Sequence, residues 1–485
     1  MKRYTRDFIR LIFLISFVLL GVSYVHAADA KPNIVYIISD DQGWKDVGFN
    51  GSDIKTPNLD KLAAEGAKLG QFYAQPMCTP TRAALLTGRY PFRYGLQTAV
   101  IPSAQTYGLA TDEWLLPQAL KEAGYNTALI GKWHLGHGDK KYWPCQRGFD
   151  YHYGPLIGEL DYFTHKQHGV TDWYRNNKVV DEAGYTTTLL GNEAVKWINQ
   201  QDAAKPFFLD LGFNAPHAPY QAPQEYLDQY KTIEDPSRRA YAASITAMDD
   251  EIGRVVAALE KKGLRNNTLI IFQSDNGGTR DAMFSGEVDT SKLKIPCDNG
   301  PYREGKGTLY EGGTRVCALA NWPGHIQPGI TVDGMIHVVD FYPTLLGLAG
   351  ASTTKSKPLD GIDVWKTIST NAASPRTELV YNIEPMQAGI REGDWKLIWR
   401  TPLPQSVELY NIAQDPSEKT NLADQNPDKV AELEKRANEL AAAGEKPLLL
   451  QAVFKMFRQS LHMPPALPGD DFQIQDEPDS EAPQH

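Results

Sequence analysis

Asn33-Ile-Val-Tyr-Ile-Ile-Ser39, followed at once by Asp40-Asp41, is a β-branched, aromatic run with almost no polar alternation. A strand with one wet face alternates; one that reads apolar throughout is buried on both faces, as in the middle of a parallel sheet. Asn126-Thr-Ala-Leu-Ile-Gly131, Pro206-Phe-Phe-Leu-Asp-Leu-Gly212 and Thr268-Leu-Ile-Ile-Phe-Gln273 have the same character. Helical patterns lie between them, over 59–66, 115–124 and 241–263. Strands alternating with helices predict a parallel α/β sheet covered on both faces.

The pattern changes near residue 350. Ala351-Ser-Thr-Thr-Lys-Ser-Lys-Pro358 reads as a linker. Glu378-Leu-Val-Tyr-Asn-Ile383, Gly389-Ile-Arg-Glu-Gly-Asp-Trp-Lys-Leu-Ile-Trp399 and Val407-Glu-Leu-Tyr-Asn411 read as antiparallel strands joined by tight turns, and 428–443 as a charged helix. The predicted organisation is a large α/β domain over 28–350 and a smaller α+β domain over 351–463. A tail over 464–485, rich in Pro, Asp and Glu, reads as disordered.

Lys2, Arg3, Arg6 and Arg10 form a basic head, 11–25 is an apolar run short for a membrane span, and Val25-His26-Ala27 is a small-residue cleavage site. A signal peptide over 1–27 is expected, hence a periplasmic or secreted protein without a stable membrane anchor. Hydrophobic residues make up 42% of the chain, enough for a large core. The net charge is −10, and about −13 once the leader's four basic and one acidic residue are removed. Such a field does not favour nucleic acid or anionic membrane, so any anion must be held by a few local cations. Cysteines at 78, 145, 297 and 317 are too few for a disulfide scaffold, and no bridge is assigned.

In open parallel sheets, sites form beyond the carboxyl ends of the strands. The first strand ends in Asp40-Asp41, the second leads into Lys132-Trp133-His134, the third is followed by Ala215-Pro216-His217, and the fourth ends in Ser274-Asp275-Asn276-Gly277-Gly278. Any one of these groups alone reads as a loop residue or a helix cap; four strand ends together do not. Asp40, Asp41, Asp275 and Asn276 are hard oxygen donors, which select Ca²⁺ or Mg²⁺ over zinc. Three carboxylates at one edge also repel each other unless a cation neutralises them.

The stretch Met77-Cys78-Thr79-Pro80-Thr81-Arg82-Ala83-Ala84-Leu85-Leu86-Thr87-Gly88-Arg89 is the most specific. Thr79 is expected to cap a helix, Pro80 to occupy its first position and Gly88 to end it. Cys78 then sits at a helix N-terminus that favours an anion, with Arg82 in the first turn. A buried small hydrophobe or a plain thiolate nucleophile are the other readings of Cys78.

Cys78-x-Pro80-x-Arg82 followed by Leu-Leu-Thr-Gly-Arg resembles the sulfatase motif. Asp40-Asp41, Gly131-Lys132-Trp133-His134, the His217 loop, Ser274 to Gly278 and Gly305-Lys306-Gly307 match sulfatase motifs in the family's order, over nearly the whole chain after the leader. Within that family the sequence resembles the arylsulfatases of the N-acetylgalactosamine-4-sulfatase type. Arg147-Gly148-Phe149-Asp150 and Asp340-Phe-Tyr-Pro343-Thr344 also fit and are taken as structural.

The resemblance implies an alkaline-phosphatase-like fold: a large mixed, mostly parallel sheet sandwiched by helices, with a smaller C-terminal α+β domain carrying an antiparallel sheet. It implies hydrolysis of sulfate esters, aryl sulfates in vitro and sulfated carbohydrate in nature. A maturation enzyme is implied to convert Cys78 to formylglycine (3-oxoalanine). Asp40, Asp41, Asp275 and Asn276 then hold Ca²⁺, with Mg²⁺ second, and one hydroxyl oxygen of the hydrated residue 78 joins them. Arg82, Lys132 and Lys306 neutralise sulfate charge, and Asp275 assists deprotonation of the nucleophile. His217, beside Lys306, protonates the leaving alcohol. His134 takes the proton whose loss lets the hemiacetal collapse and release sulfate. The alternative is a phosphodiesterase or phosphonate hydrolase of the same superfamily. A binding protein without activity would need a broken motif, and none is found. Segments 154–165 and 298–303 carry aromatics and carboxylates suited to a sugar and are candidates for the leaving-group pocket.

Overall fold

The computed structural model describes residues 31–280, 295–401 and 405–460. The expected leader over 1–27 and the tail over 464–485 lie outside the described residues. Strand β1 (Asn33–Ser39) is buried along its whole length. Ile34, Tyr36 and Ile38 enter one hydrophobic core and Val35 and Ile37 the other. That two-sided burial is why the run shows no alternation.

β1 sits in a ten-stranded sheet with β2 (Ala67–Leu69), β3 (Asn126–Gly131), β4 (Tyr151–Gly154), β5 (Tyr174–Arg175), β6 (Lys178–Val179), β7 (Phe207–Gly212), β8 (Thr268–Ser274), β9 (Ala318–Asn321) and β10 (Ile330–Val332). The order across the sheet is β10-β2-β9-β8-β1-β7-β3-β4-β5-β6. The central five, β8-β1-β7-β3-β4, are mutually parallel. β9 runs antiparallel to both β8 and β2, and β5 and β6 close the other side as antiparallel strands. The sheet is thus mixed but mostly parallel at its centre.

Helices cover both faces. α1 (Pro57–Ala64) is followed by α2 (Cys78–Thr87), α3 (Leu116–Glu122), α4 (Thr186–Gln200), α5 (Pro236–Lys261) and α6 (Phe341–Ala349). Leu85 of α2, Leu116 of α3 and Leu345 of α6 pack into one core; Leu59 of α1, Leu190 of α4 and Val255 of α5 pack into the other. No described helix is long and apolar enough to cross a membrane.

Beyond residue 377 comes a four-stranded antiparallel meander: β11 (Glu378–Glu384), β12 (Gln387–Glu392), β13 (Trp395–Arg400) and β14 (Ser406–Asn411). Helix α7 (Pro427–Ala442) follows, its buried face formed by Leu433, Ala437 and Leu440.

Register decides where chemistry can gather. Ser39 lies opposite Ser274, Ile38 opposite Gly212, and Gly212 opposite Gly131. The residues that follow β8, β1, β7 and β3 therefore emerge level along one sheet edge.

Candidate active site

Helix α2 delivers Cys78 to that edge. It begins at Cys78 itself, with Met77 as N-cap, and ends at Gly88 in the left-handed conformation (φ 67°). The ending is as expected, but the start is earlier: Thr79 does not cap the helix. Its hydroxyl instead donates to the His134 carbonyl oxygen at 2.8 Å, a long-range bond that outcompetes local capping. Every residue of α2 is buried.

The Cys78 Sγ lies 3.4 Å from Asp40 Oδ1 and 4.0 Å from Asp41 Oδ1. Three cations interleave with the carboxylates. Lys132 Nζ donates to Asp40 Oδ2 at 2.6 Å, Lys306 Nζ to Asp41 Oδ2 at 2.8 Å, and Arg82 to Asp275 Oδ2 at 2.9 Å. Arg82 also donates to the Lys132 carbonyl oxygen at 3.1 Å. This lattice needs the ends of β3 and β7 to approach closely. A Cβ on Gly131 would lie 1.8 Å from the Gly212 carbonyl oxygen, and Gly131 has φ 123°. Only glycine fits there.

His217 Nε2 lies 3.5 Å from Asp41 Oδ2 and 3.3 Å from Lys306 Nζ. Its Nδ1 lies 2.6 Å from the Ala218 carbonyl oxygen, which can only accept. Nδ1 therefore carries a hydrogen, and Nε2 is the position that gains or loses one. His134 is buried in the left-handed region (φ 59°). Neither of its ring nitrogens has a hydrogen-bond partner among the described residues. Asp41 is left-handed too (φ 62°). Such conformations at a reaction centre are held in place by their surroundings.

Electrostatics follow from burial. Burial alone would raise the Asp40 carboxyl, but Lys132, His217, Arg82 and Lys306 together hold it well below the usual carboxylate range. Burial and the neighbouring Asp40 charge push Asp275 up. Burial and the charges of Asp275 and Asp40 push the Cys78 thiol far up, so an unmodified Cys78 is a poor thiolate nucleophile. Burial, with Lys132 and Arg82 close by, drives His134 well below the usual histidine value. Those surroundings favour the neutral imidazole of His134.

The acidic cluster is one that could hold a metal ion. Asp40, Asp41, Cys78 and His217 each place a ligand-type atom within 4.8 Å of the others. Asn276 Nδ2 donates to Asp41 Oδ1 at 2.7 Å, while its Oδ1 is buried without a partner among the described residues. An orphaned amide oxygen beside two carboxylates is what a cation would satisfy. Asp275 stands slightly apart, bonded to Arg82 and, through Oδ1, to the Asp41 backbone N–H at 3.2 Å. Three carboxylates already balance three cations, so an added dication leaves the pocket positive and receptive to an anion.

All the residues singled out in the sequence, Asp40, Asp41, Cys78, Arg82, Lys132, His134, His217, Asp275, Asn276 and Lys306, are buried side chains at this edge. Two groups that hold the site were not recognised. Tyr162 is buried, its hydroxyl bonded to the loop that carries His217. Glu311, five residues after Lys306, is buried against Lys396 of β13 at 3.0 Å, and Lys396 also meets Glu418 at 2.9 Å. A lone tyrosine, and charges that meet only through tertiary packing, carry no local signal.

Residues 32–351 match the sulfatase family, and residues 304–443 match the family described as N-sulphoglucosamine sulphohydrolase, C-terminal. Arylsulfatase J of Mus musculus is 39% identical over 396 residues, covering 79% of this chain and 64% of its own. N-acetylgalactosamine-6-sulfatase of Mus musculus is 35% identical over 384 residues, covering 74% of this chain and 71% of its own. The matched part thus spans just under two thirds of the first relative. The solved structure of Ps i-CgsB in complex with k-i-k-neocarrahexaose is 34% identical with a TM-score of 0.78, covering 86% of this chain and 94% of that one.

Proposed function

The chain belongs to the sulfatase family, and on that premise we propose that it hydrolyses sulfate esters to an alcohol and inorganic sulfate. The observation that carries the reading is the set of three cations, Arg82, Lys132 and Lys306, interleaved with Asp40, Asp41 and Asp275 around the Cys78 sulfur.

A bound Ca²⁺, or Mg²⁺, held by Asp40, Asp41, Asp275 and Asn276 together with residue 78, would offset sulfate charge and acidify the nucleophile's hydroxyl. Conversion of Cys78 to formylglycine by a maturation enzyme would supply, on hydration, one hydroxyl to attack sulfur and a second whose deprotonation frees the sulfate.

The chain's own residues do the rest. Arg82, Lys132 and Lys306 present fixed N–H donors to the sulfate oxygens, where charge builds in the transition state. Asp275 accepts the nucleophile's proton. His217 gives its Nε2 proton to the leaving oxygen, and Lys306 beside it favours that release. His134, neutral at the outset, takes a proton after the alcohol has gone.

The carbohydrate in the Ps i-CgsB structure and the amino-sugar sulfate in a relative's name support a sulfated carbohydrate as natural substrate. The leader over 1–27 supports a periplasmic or secreted enzyme, with a catalytic domain over 28–350 and a smaller domain over 351–463. The test compares 4-nitrophenyl sulfate with bis(4-nitrophenyl) phosphate, which share a leaving group. Higher kcat/KM on the sulfate is expected; a preference for the phosphate diester would assign the site to phosphorus chemistry.

A further inference from the structure

The segment 154–165 has the composition of a sugar pocket, but its central aromatic faces inward. Tyr162 is 1% exposed, and its ring stacks on Tyr185 with centroids 5.5 Å apart. Its hydroxyl lies 2.8 Å from the carbonyl oxygens of both Asn214 and His217. One phenolic proton shared between these two acceptors ties the turn that the His217 N–H closes onto the Asn214 carbonyl oxygen at 2.8 Å. The same segment grips the loop twice more. Asn214 Nδ2 donates to the Gly158 carbonyl oxygen at 2.6 Å. Gln221 accepts the Tyr162 N–H at 2.8 Å and donates to Asp161 at 2.6 Å.

The start of the loop is fixed by the core, where Phe213 and Ala215 are fully buried, and the Tyr162 clasp falls on the turn that follows. Its two ends carry functional contacts: the Ala215 carbonyl oxygen accepts the Asp40 N–H at 3.1 Å, and the His217 ring sits between Asp41 and Lys306. A general acid displaced by about an ångström loses much of its effect, because proton transfer needs hydrogen-bond reach.

We propose that Tyr162 is a positioning residue for His217, its hydroxyl clasping the 214–217 turn so that the imidazole Nε2 faces the leaving oxygen. This rests on the general-acid reading of His217. Removing the hydroxyl alone should therefore produce a weakened copy of the loss of His217, selective for esters whose alcohol needs a proton.

The experiment measures kcat and KM for wild type, Tyr162→Phe, His217→Ala and the double variant on phenyl sulfate, a poor leaving group, and 4-nitrophenyl sulfate, a good one. Thermal unfolding is followed alongside. Tyr162→Phe is expected to lose about tenfold in kcat on phenyl sulfate, less than about threefold on 4-nitrophenyl sulfate, and little in KM. The double variant should be no slower than His217→Ala on phenyl sulfate. Equal losses on both esters, or additive losses in the double variant, while His217→Ala stays selective, would overturn the role of Tyr162 and leave the general acid standing. An unselective His217→Ala would overturn the general-acid reading, and Tyr162 with it. If Tyr162→Phe does not fold, Gln221→Met removes the side-chain bonds that seat the Tyr162 backbone and so loosens its hydroxyl's hold on the turn. It should show the same selectivity, and its absence would equally overturn the proposal.

Discussion

At the scale of single residues, the proposed reaction uses the two histidines at different times. His217 reaches the site from the loop after β7 with Nδ1 fixed on a carbonyl oxygen, so its chemistry is confined to Nε2. His134 is buried, and neutral because it is buried among cations. On the proposed mechanism His217 acts as the acid in the first half of the cycle and His134 as the base in the second. His217→Ala should cost about a hundredfold or more on a sugar sulfate and distinctly less on 4-nitrophenyl sulfate, whose phenolate leaves with little help. His134→Ala should slow both esters, and a covalent sulfate adduct on residue 78 should accumulate whichever alcohol has left. Paired rates with mass analysis of the trapped protein separate the two. Equal losses for His217→Ala would pass the acid's role to Lys306.

At the scale of elements, the Lys306 segment is held from the C-terminal side of the chain. Lys306 N–H donates to the Gly278 carbonyl oxygen and Gly307 N–H to the Pro76 carbonyl oxygen, two residues before Cys78. Glu311 anchors this segment to β13 through Lys396, and accepts from Tyr73 at 2.8 Å and Tyr381 at 3.1 Å. Burial would raise Glu311, but Lys396, Arg315 and Arg391 hold it below the usual range; burial pushes Glu418 up despite Lys396. Lys396→Met leaves the buried Glu418 without its cation and takes one of three from Glu311, and should cost about 3–5 kcal/mol in denaturant unfolding. Neutralising all three, as Lys396→Met with Glu311→Gln and Glu418→Gln, should recover part of that loss. No recovery would mean that packing rather than charge dominates there. None of this cluster was legible in the sequence, because its members meet only through tertiary packing. The strands were legible, because continuous apolar runs have one stable use, and Gly88 was legible as a helix end, because its left-handed backbone is a local demand. Thr79 was misread as a cap because the competing acceptor, the His134 carbonyl oxygen, belongs to a different strand end. Tyr162, in a segment read as a candidate sugar pocket, faces the His217 loop instead.

At the scale of the whole molecule, a chain of net charge −10 would take the proposed anionic substrate through the few cations, Arg82, Lys132 and Lys306, that one sheet edge gathers against the chain's acidic field. The five parallel central strands make that possible by bringing four strand ends level, while α2 and the 305–314 segment bring Cys78 and Lys306 to meet them. The arrangement has a chemical gap at its centre. A thiol raised by burial and by two carboxylates is a weak nucleophile, and the proposed acid, base and cations would have little use without a better one. The account therefore stands on Cys78 being converted. The measurement that tests it most directly is peptide mass spectrometry of residue 78 across preparations of differing specific activity on an aryl sulfate. The fraction of chains about 18 Da lighter than cysteine at this position should track activity in proportion and reach zero with it. Full activity in chains whose Cys78 keeps its thiol would contradict the account.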